Sequence, residues 1–172
     1  MSTRSSRACL ALAAALSCVA GLTMAPPAHA APADHLVINE VYGGGGNSGA
    51  TFTHDFVEIA NPTAGPVSLT GLSIAYYSAS GSAASGSCVL SGTLAPGASF
   101  LVQQAKGAGG TTPLPTPDAT CAFAMSGTSG SVALLQGGVT VDLVGYGSAT
   151  KVETAAAPAT TRGRPTGGAT KQ

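Results

Sequence analysis

Seven acidic residues, three histidines and four cysteines are the side chains that this 172-residue chain offers to metal chemistry. Three of the acids, Glu40, Asp55 and Glu58, fall close together, with Asn39, Asn47 and Asn61 beside them. Clustered carboxylate and amide oxygens are what a hard cation such as Ca²⁺ requires, so Glu40, Asp55 and Glu58 form a candidate calcium set. Their spacing is not that of an EF-hand loop. The plainer reading is that they face water, or accept hydrogen bonds from loop amides and hold the Gly43–Ala50 run (GGGGNSGA) in place. No other cofactor is implied.

Hydrolytic chemistry lacks its parts. Behind the N-terminal leader only His35 and His54 remain, one beside the processed end and one in an expected loop. Gly127-Thr128-Ser129-Gly130 is not the G-x-S-x-G elbow, and no strand-to-helix context surrounds it. Gly43 to Gly46 lacks the following Lys-Ser/Thr of a phosphate loop and opens no helix. No catalytic residue is assigned, and the chain is expected not to be an enzyme. Tyr76 and Tyr77 fall on opposite faces of one strand, which leaves one ring exposed beside a Ser-rich loop. Such a ring is a candidate sugar or peptide contact, or simply a lone surface aromatic.

The leader sets the compartment. Arg4 and Arg7 precede an apolar run from Ala8 to Met24, and Ala28-His29-Ala30 supplies the small-x-small pattern of a signal-peptidase site. Cleavage after Ala30 is predicted, delivering a secreted, extracellular protein. As a membrane span the run is barely long enough, and Pro26-Pro27 follows at once. No second long apolar stretch follows it. Cys9 and Cys18 leave with the leader, so Cys88 and Cys121 remain as a pair and read as a disulfide. The other use of two cysteines, a metal site, finds no His or further Cys near either one.

Charged residues are 8% of the chain, against about 25% in an average globular protein. All the acids lie between Ala31 and Thr154, where Lys106 and Lys151 are the only bases, while Arg162, Arg164 and Lys171 follow near the end. An acidic body without a basic stripe lacks the footprint of a nucleic-acid binder, and no specific nucleic-acid binding is expected.

The elements that position these residues are short strands. His35–Tyr42 alternates, with Leu36, Ile38 and Glu40 on one face and Val37, Asn39 and Val41 on the other. Gly43–Ala50 is a loop, Phe56–Asn61 a second strand, and Asn61-Pro62 its stop. Val67 with Leu69 makes a short pair, and Leu72–Tyr77 the next strand. Cys88–Leu94, Ser99–Gln104 and Thr120–Met125 follow, with a long Gly, Thr and Pro-rich loop from Lys106 to Asp118. Ser131–Leu135 and Val139–Tyr146 flank Gln136-Gly137-Gly138 as the clearest hairpin. Helical periodicity is absent behind the leader. Turn signals recurring at short intervals argue an all-β sandwich with a light core of Val, Leu, Ile and Ala plus Phe56, Phe100 and Phe123.

Three ordered fragments, INEVYGGGGNSGA with DFVEIANP, then PVSLTGLSIAYYSASG, then VALLQGGVTVDLVGYGSA, resemble the lamin tail domain family. The likeness is to its secreted bacterial branch, whose modules stand ahead of extracellular nucleases. It implies an immunoglobulin-like β-sandwich over residues 33–157, without catalytic residues, serving recognition, adhesion or structural support outside the cell. Its partner would be an extracellular protein, a cell-wall polymer or a nucleic acid. The alternative it implies is the leading module of a secreted nuclease whose catalytic domain is missing. Relatives carry a Trp where this chain has Leu72-Ser73-Ile74. They also continue past Ala157-Pro158 into a final strand, whereas this chain runs ATTRGRPTGGATKQ. A sandwich lacking its final strand, with a disordered basic tail over residues 158–172, is therefore expected.

Overall fold

The computed structural model describes residues 33–153 and Thr166–Gly167. The expected leader and its expected cleavage site lie outside these residues. The described chain has eleven strands and no helix, arranged as an immunoglobulin-like β-sandwich. The strands are β1 (Val37–Tyr42), β2 (His54–Ala60), β3 (Val67–Ser68), β4 (Leu72–Ser78), β5 (Gly86–Val89) and β6 (Thr93–Leu94), followed by β7 (Ser99–Lys106), β8 (Ala119–Thr120), β9 (Gly130–Gln136), β10 (Val139–Tyr146) and β11 (Thr166–Gly167).

One layer runs β11-β1-β2-β7-β8 and the other β10-β9-β4-β5, with β3 and β6 paired as a small ribbon. Every pairing is antiparallel except β7 with β8. The inward faces meet in one cluster that includes Ile38, Val41, Val57, Ile59, Ile74, Val102, Val132 and Leu134. Two expected strands are shorter than their apolar runs. The Cys88–Leu94 run divides between β5 and β6, because Gly92 takes a positive φ of 105° and turns the chain toward β3. Of the Thr120–Met125 run only Thr120 belongs to a strand. The hairpin is as expected, with Gly137 at φ 57° and Gly138 at φ 88° forming its apex.

Strict alternation fails in β1. Ile38 pairs with Ile59 and Glu40 with Glu58, which leaves Asn39 as the extra residue of a bulge. The slip reverses the faces, so that both Ile38 and Val41 point into the core. Glu40 then lies on the outer face, not beside Leu36 and Ile38.

The aromatic content of the core also differs from expectation. Tyr76 and Tyr146 are buried in it, while Phe100 and Phe123 only pack against it. Phe56 is buried on the outer face, stacked on its cross-strand partner Tyr42 at 5.4 Å and capped edge-on by Phe52.

Each open side of the sandwich is tied across. On one side a Cys88–Cys121 disulfide, with Cα atoms 5.9 Å apart, joins edge strand β5 to the residue after edge strand β8. On the other, Asp142 of β10 accepts a hydrogen bond of 2.7 Å from the Ile38 amide of β1. The expectation that the last strand is missing needs correction, since Thr166 and Gly167 pair antiparallel with Val41 and Glu40. The other residues of the proposed tail lie outside the described residues.

Reducing the disulfide, or replacing Cys88 and Cys121 by Ala, is expected to lower stability by about 4 kcal/mol for a loop of this length. Denaturant melts with and without reductant measure it, and coincident curves would mean that the staple contributes nothing.

Candidate functional site

Three chemically capable side chains, Asp55, Tyr76 and Tyr146, converge at one end of the sandwich, around the backbone of Met125 and Ser126. Asp55 lies on the inner face of β2, alternating with Phe56, and is 3% exposed. Its Oδ1 accepts from the Gly45 amide and its Oδ2 from the Met125 amide, both at 2.8 Å. One residue on, the Ser126 amide donates to the Tyr76 hydroxyl at 3.0 Å, and the Tyr146 hydroxyl donates to the Ser126 carbonyl at 2.5 Å. Three side chains from β2, β4 and β10 thus hold two consecutive residues of the segment between β8 and β9.

Glycines make that approach possible. A Cβ on Gly45 would lie 1.9 Å from the His54 carbonyl carbon, and one on Gly43 would lie 2.4 Å from the Ser126 oxygen. Gly43 to Gly46 are buried for this reason, and only Asn47, Ser48 and Gly49 of the loop are exposed. The glycine run is therefore packed backbone.

Burial pushes the Asp55 carboxyl up to about 6, against the opposing pull of the Met125 and Gly45 amides. The Tyr146 hydroxyl is raised by burial first, and then by Tyr76 and Asp55. Such a set resembles an acid–base dyad in its chemistry, but Tyr146 and Tyr76 bond each other, and the remaining hydrogen bonds end on the backbone of Gly45, Met125 and Ser126. Its effect is to fix loops.

The proposed calcium trio is not brought together. Glu40 and Glu58 are cross-strand neighbours on the outer face of β1 and β2, whereas Asp55 points inward and uses both oxygens on amides. Among the described residues no group of three His, Cys, Asp or Glu side chains converges as a metal site. The Glu40 carboxyl is raised by burial first and by the facing Glu58 second. Glu58 in turn accepts from Asn39 Nδ2 at 2.6 Å and Ser99 Oγ at 3.1 Å.

The two candidate contact tyrosines divide. Tyr76 is a core residue, stacked on Phe123 and hydrogen-bonded to Ser126, so the expectation that it meets a ligand is corrected. Tyr77 faces the other way, half-buried, with Lys151 Nζ 4.7 Å from its ring centroid. His35 contacts Asp34 at 2.8 Å and His54 contacts Thr53 at 2.9 Å, each a neighbour in sequence.

Sequence reasoning did not single out Tyr146, Asn61 or Asp142 for these roles. Asn61 is fully buried and is matched on both sides. It donates to the Gly65 and Leu94 carbonyls and accepts from the Thr63 amide and hydroxyl. Only the Asn-Pro pair hinted at this corner. Among the described residues, the buried side-chain atoms without a partner are the Tyr42 hydroxyl and both amide atoms of Gln104.

The raised Asp55 and Glu40 carboxyls bind their protons more tightly folded than unfolded. The stability they add is complete below about pH 4 and is lost as pH rises through about 6. Melting midpoints are therefore expected to fall between those values, with a shallower slope in Asp55→Asn. Asp55→Ala, which strands two buried amides, is expected to cost about 1–3 kcal/mol for each at pH 5. Calcium is expected to leave the midpoint where chelator puts it. A rise on adding the ion would restore the trio as a site.

A family model described as Lamin Tail Domain matches residues 29–148, more than two thirds of the chain. No curated protein matches it. The matched stretch takes in β1 to β10, the glycine loop and every residue of the Asp55 cluster. With its all-β, two-layer architecture, the chain belongs to the Lamin Tail Domain family.

Proposed function

We propose that the chain is an exported, non-catalytic module of the secreted bacterial branch of its family, acting outside the cell by recognition or support. The observation that carries this reading is where the reactive side chains spend their hydrogen bonds. Asp55, Tyr76 and Tyr146 are committed to the backbone of residues 45, 125 and 126, and Asn61 to that of the 63–65 turn and β6. Groups so engaged hold a scaffold, and the surface is left to meet the partner.

That surface is mostly Ser, Thr, Gly and Ala, with few charges. Tyr77 supplies a half-open ring, and Lys151 above it a cation. An aromatic face with an ammonium beside it suits the apolar face and hydroxyl or acidic groups of a sugar polymer. An acidic body disfavours a nucleic-acid backbone. A cell-wall polymer is accordingly the partner class this reading names.

The purified protein is expected to be retained on insoluble cell-wall polymer. Tyr77→Ala should weaken retention about fivefold, the equivalent of about 1 kcal/mol, without moving the melting midpoint. Protein recovered from culture medium should begin at Ala31. Equal retention of the variant, or none by the parent, would overturn the surface assignment, and turnover of any polymer by the pure protein would overturn the module reading.

A further inference from the structure

The segment between β7 and β8 is pinned at both ends and unsupported between them. At its start the Thr111 and Thr112 amides donate to the Thr51 carbonyl, and the Thr112 carbonyl accepts from Thr53. At its end Asp118 exchanges hydrogen bonds with Leu101, its amide donating to the Leu101 carbonyl at 2.9 Å and its Oδ2 accepting from the Leu101 amide at 2.8 Å. Between the pins runs Pro113-Leu114-Pro115-Thr116-Pro117, for which no backbone hydrogen bond is found among the described residues. Three prolines in five positions remove most of the amide donors and fix φ at their own positions, and the chain bends at Pro115.

Thr116 stands between two of those prolines. A residue before proline is steered to the extended region, so Pro117 sets the Thr116 backbone and Pro115 sets the approach to it. Its side chain is exposed. The half-buried hydroxyls of Thr63 and Ser126 are engaged, with Asn61 and Gly65 and with Thr128, and the exposed Thr150 hydroxyl is bonded to Ala79.

An exposed backbone without ladder partners, presenting a hydroxyl between two prolines, is open to a glycosyltransferase, and Thr/Pro-rich segments of exported proteins carry O-linked sugar. We propose that Thr116 is an O-glycosylation site, taking a hexose from a phosphate-activated donor. In the transfer, Thr116 Oγ1 attacks the anomeric carbon and a C–O glycosidic bond forms. The bond from that carbon to the donor phosphate breaks, and the phosphate leaves with the electron pair. The hydroxyl proton passes to the transferase's base, and nothing is oxidised or reduced. The sugar would sit three residues before β8, the two-residue strand that ends this layer, and would hinder pairing of another chain along that edge.

This inference rests on the export reading, because the modification needs passage to the donor's compartment. The test uses the full chain secreted by its own host, with fragmentation mass spectrometry of the peptide spanning Lys106–Asp118. Whole hexose units are expected on Thr116, retained in Thr116→Ser, and absent both from Thr116→Ala and from protein made without its leader. Exported protein beginning at Ala31 with Thr116 bare, or with sugar only elsewhere, overturns the assignment and leaves the export reading standing. Unprocessed protein held inside the cell overturns both.

Discussion

The Asp55 carboxylate sits where β2 meets the glycine-rich loop, and each of its oxygens takes a backbone amide that folding has removed from water. A buried amide left unmatched costs about as much as a lost hydrogen bond, so long excursions can run through the interior only where a side chain meets them. Asp55 meets two, Tyr76 and Tyr146 meet the next peptide, and the 43–46 and 125–126 segments can then cross in near contact. The opposing demands on Asp55 are visible in its proton affinity. Burial raises it and the amides lower it, and burial prevails.

The same economy governs the open sides of the sandwich. Its core is light, and two sheets with free edges invite both splaying and pairing with strangers. The disulfide ties β5 to the end of β8, while Asp142 ties β10 to β1 at the Asn39 bulge. The chain beyond β10 then folds back over the outer face of its own sheet. Ser131 donates to the Lys151 carbonyl at 2.6 Å, and a Cβ on Gly145 would strike Val152 at 2.5 Å. Ser131 is buried where this strap meets it, and its neighbours Ala75 and Ala133 are buried as well.

Asp55, Tyr76 and Tyr146 are spent on the protein's own peptide groups. What remains is outward and diffuse: a half-covered ring at Tyr77, a proline arch at 113–117, and a polar skin of hydroxyls. Recognition through such a surface, and decoration of it, are compatible roles, since both use exposure and neither disturbs the buried hydrogen bonds.

Much of the architecture was legible in the residues themselves. Alternating apolar positions, glycine and proline punctuation and a single pair of cysteines behind the expected leader imply short strands, two layers and one bridge, because each is a local rule or a count. Tertiary structure alone decided the rest. Tyr76 and Tyr77 cannot be ranked by alternation, and it is the core on one face, with Phe123 and the Ser126 amide from distant chain, that buries Tyr76. Glu40, Asp55 and Glu58 are close in sequence, yet a single extra residue at Asn39 and the inward turn of Asp55 set them apart. Face and period can be read from neighbours along a chain, whereas the partner of a buried polar group is chosen by which distant backbone arrives beside it.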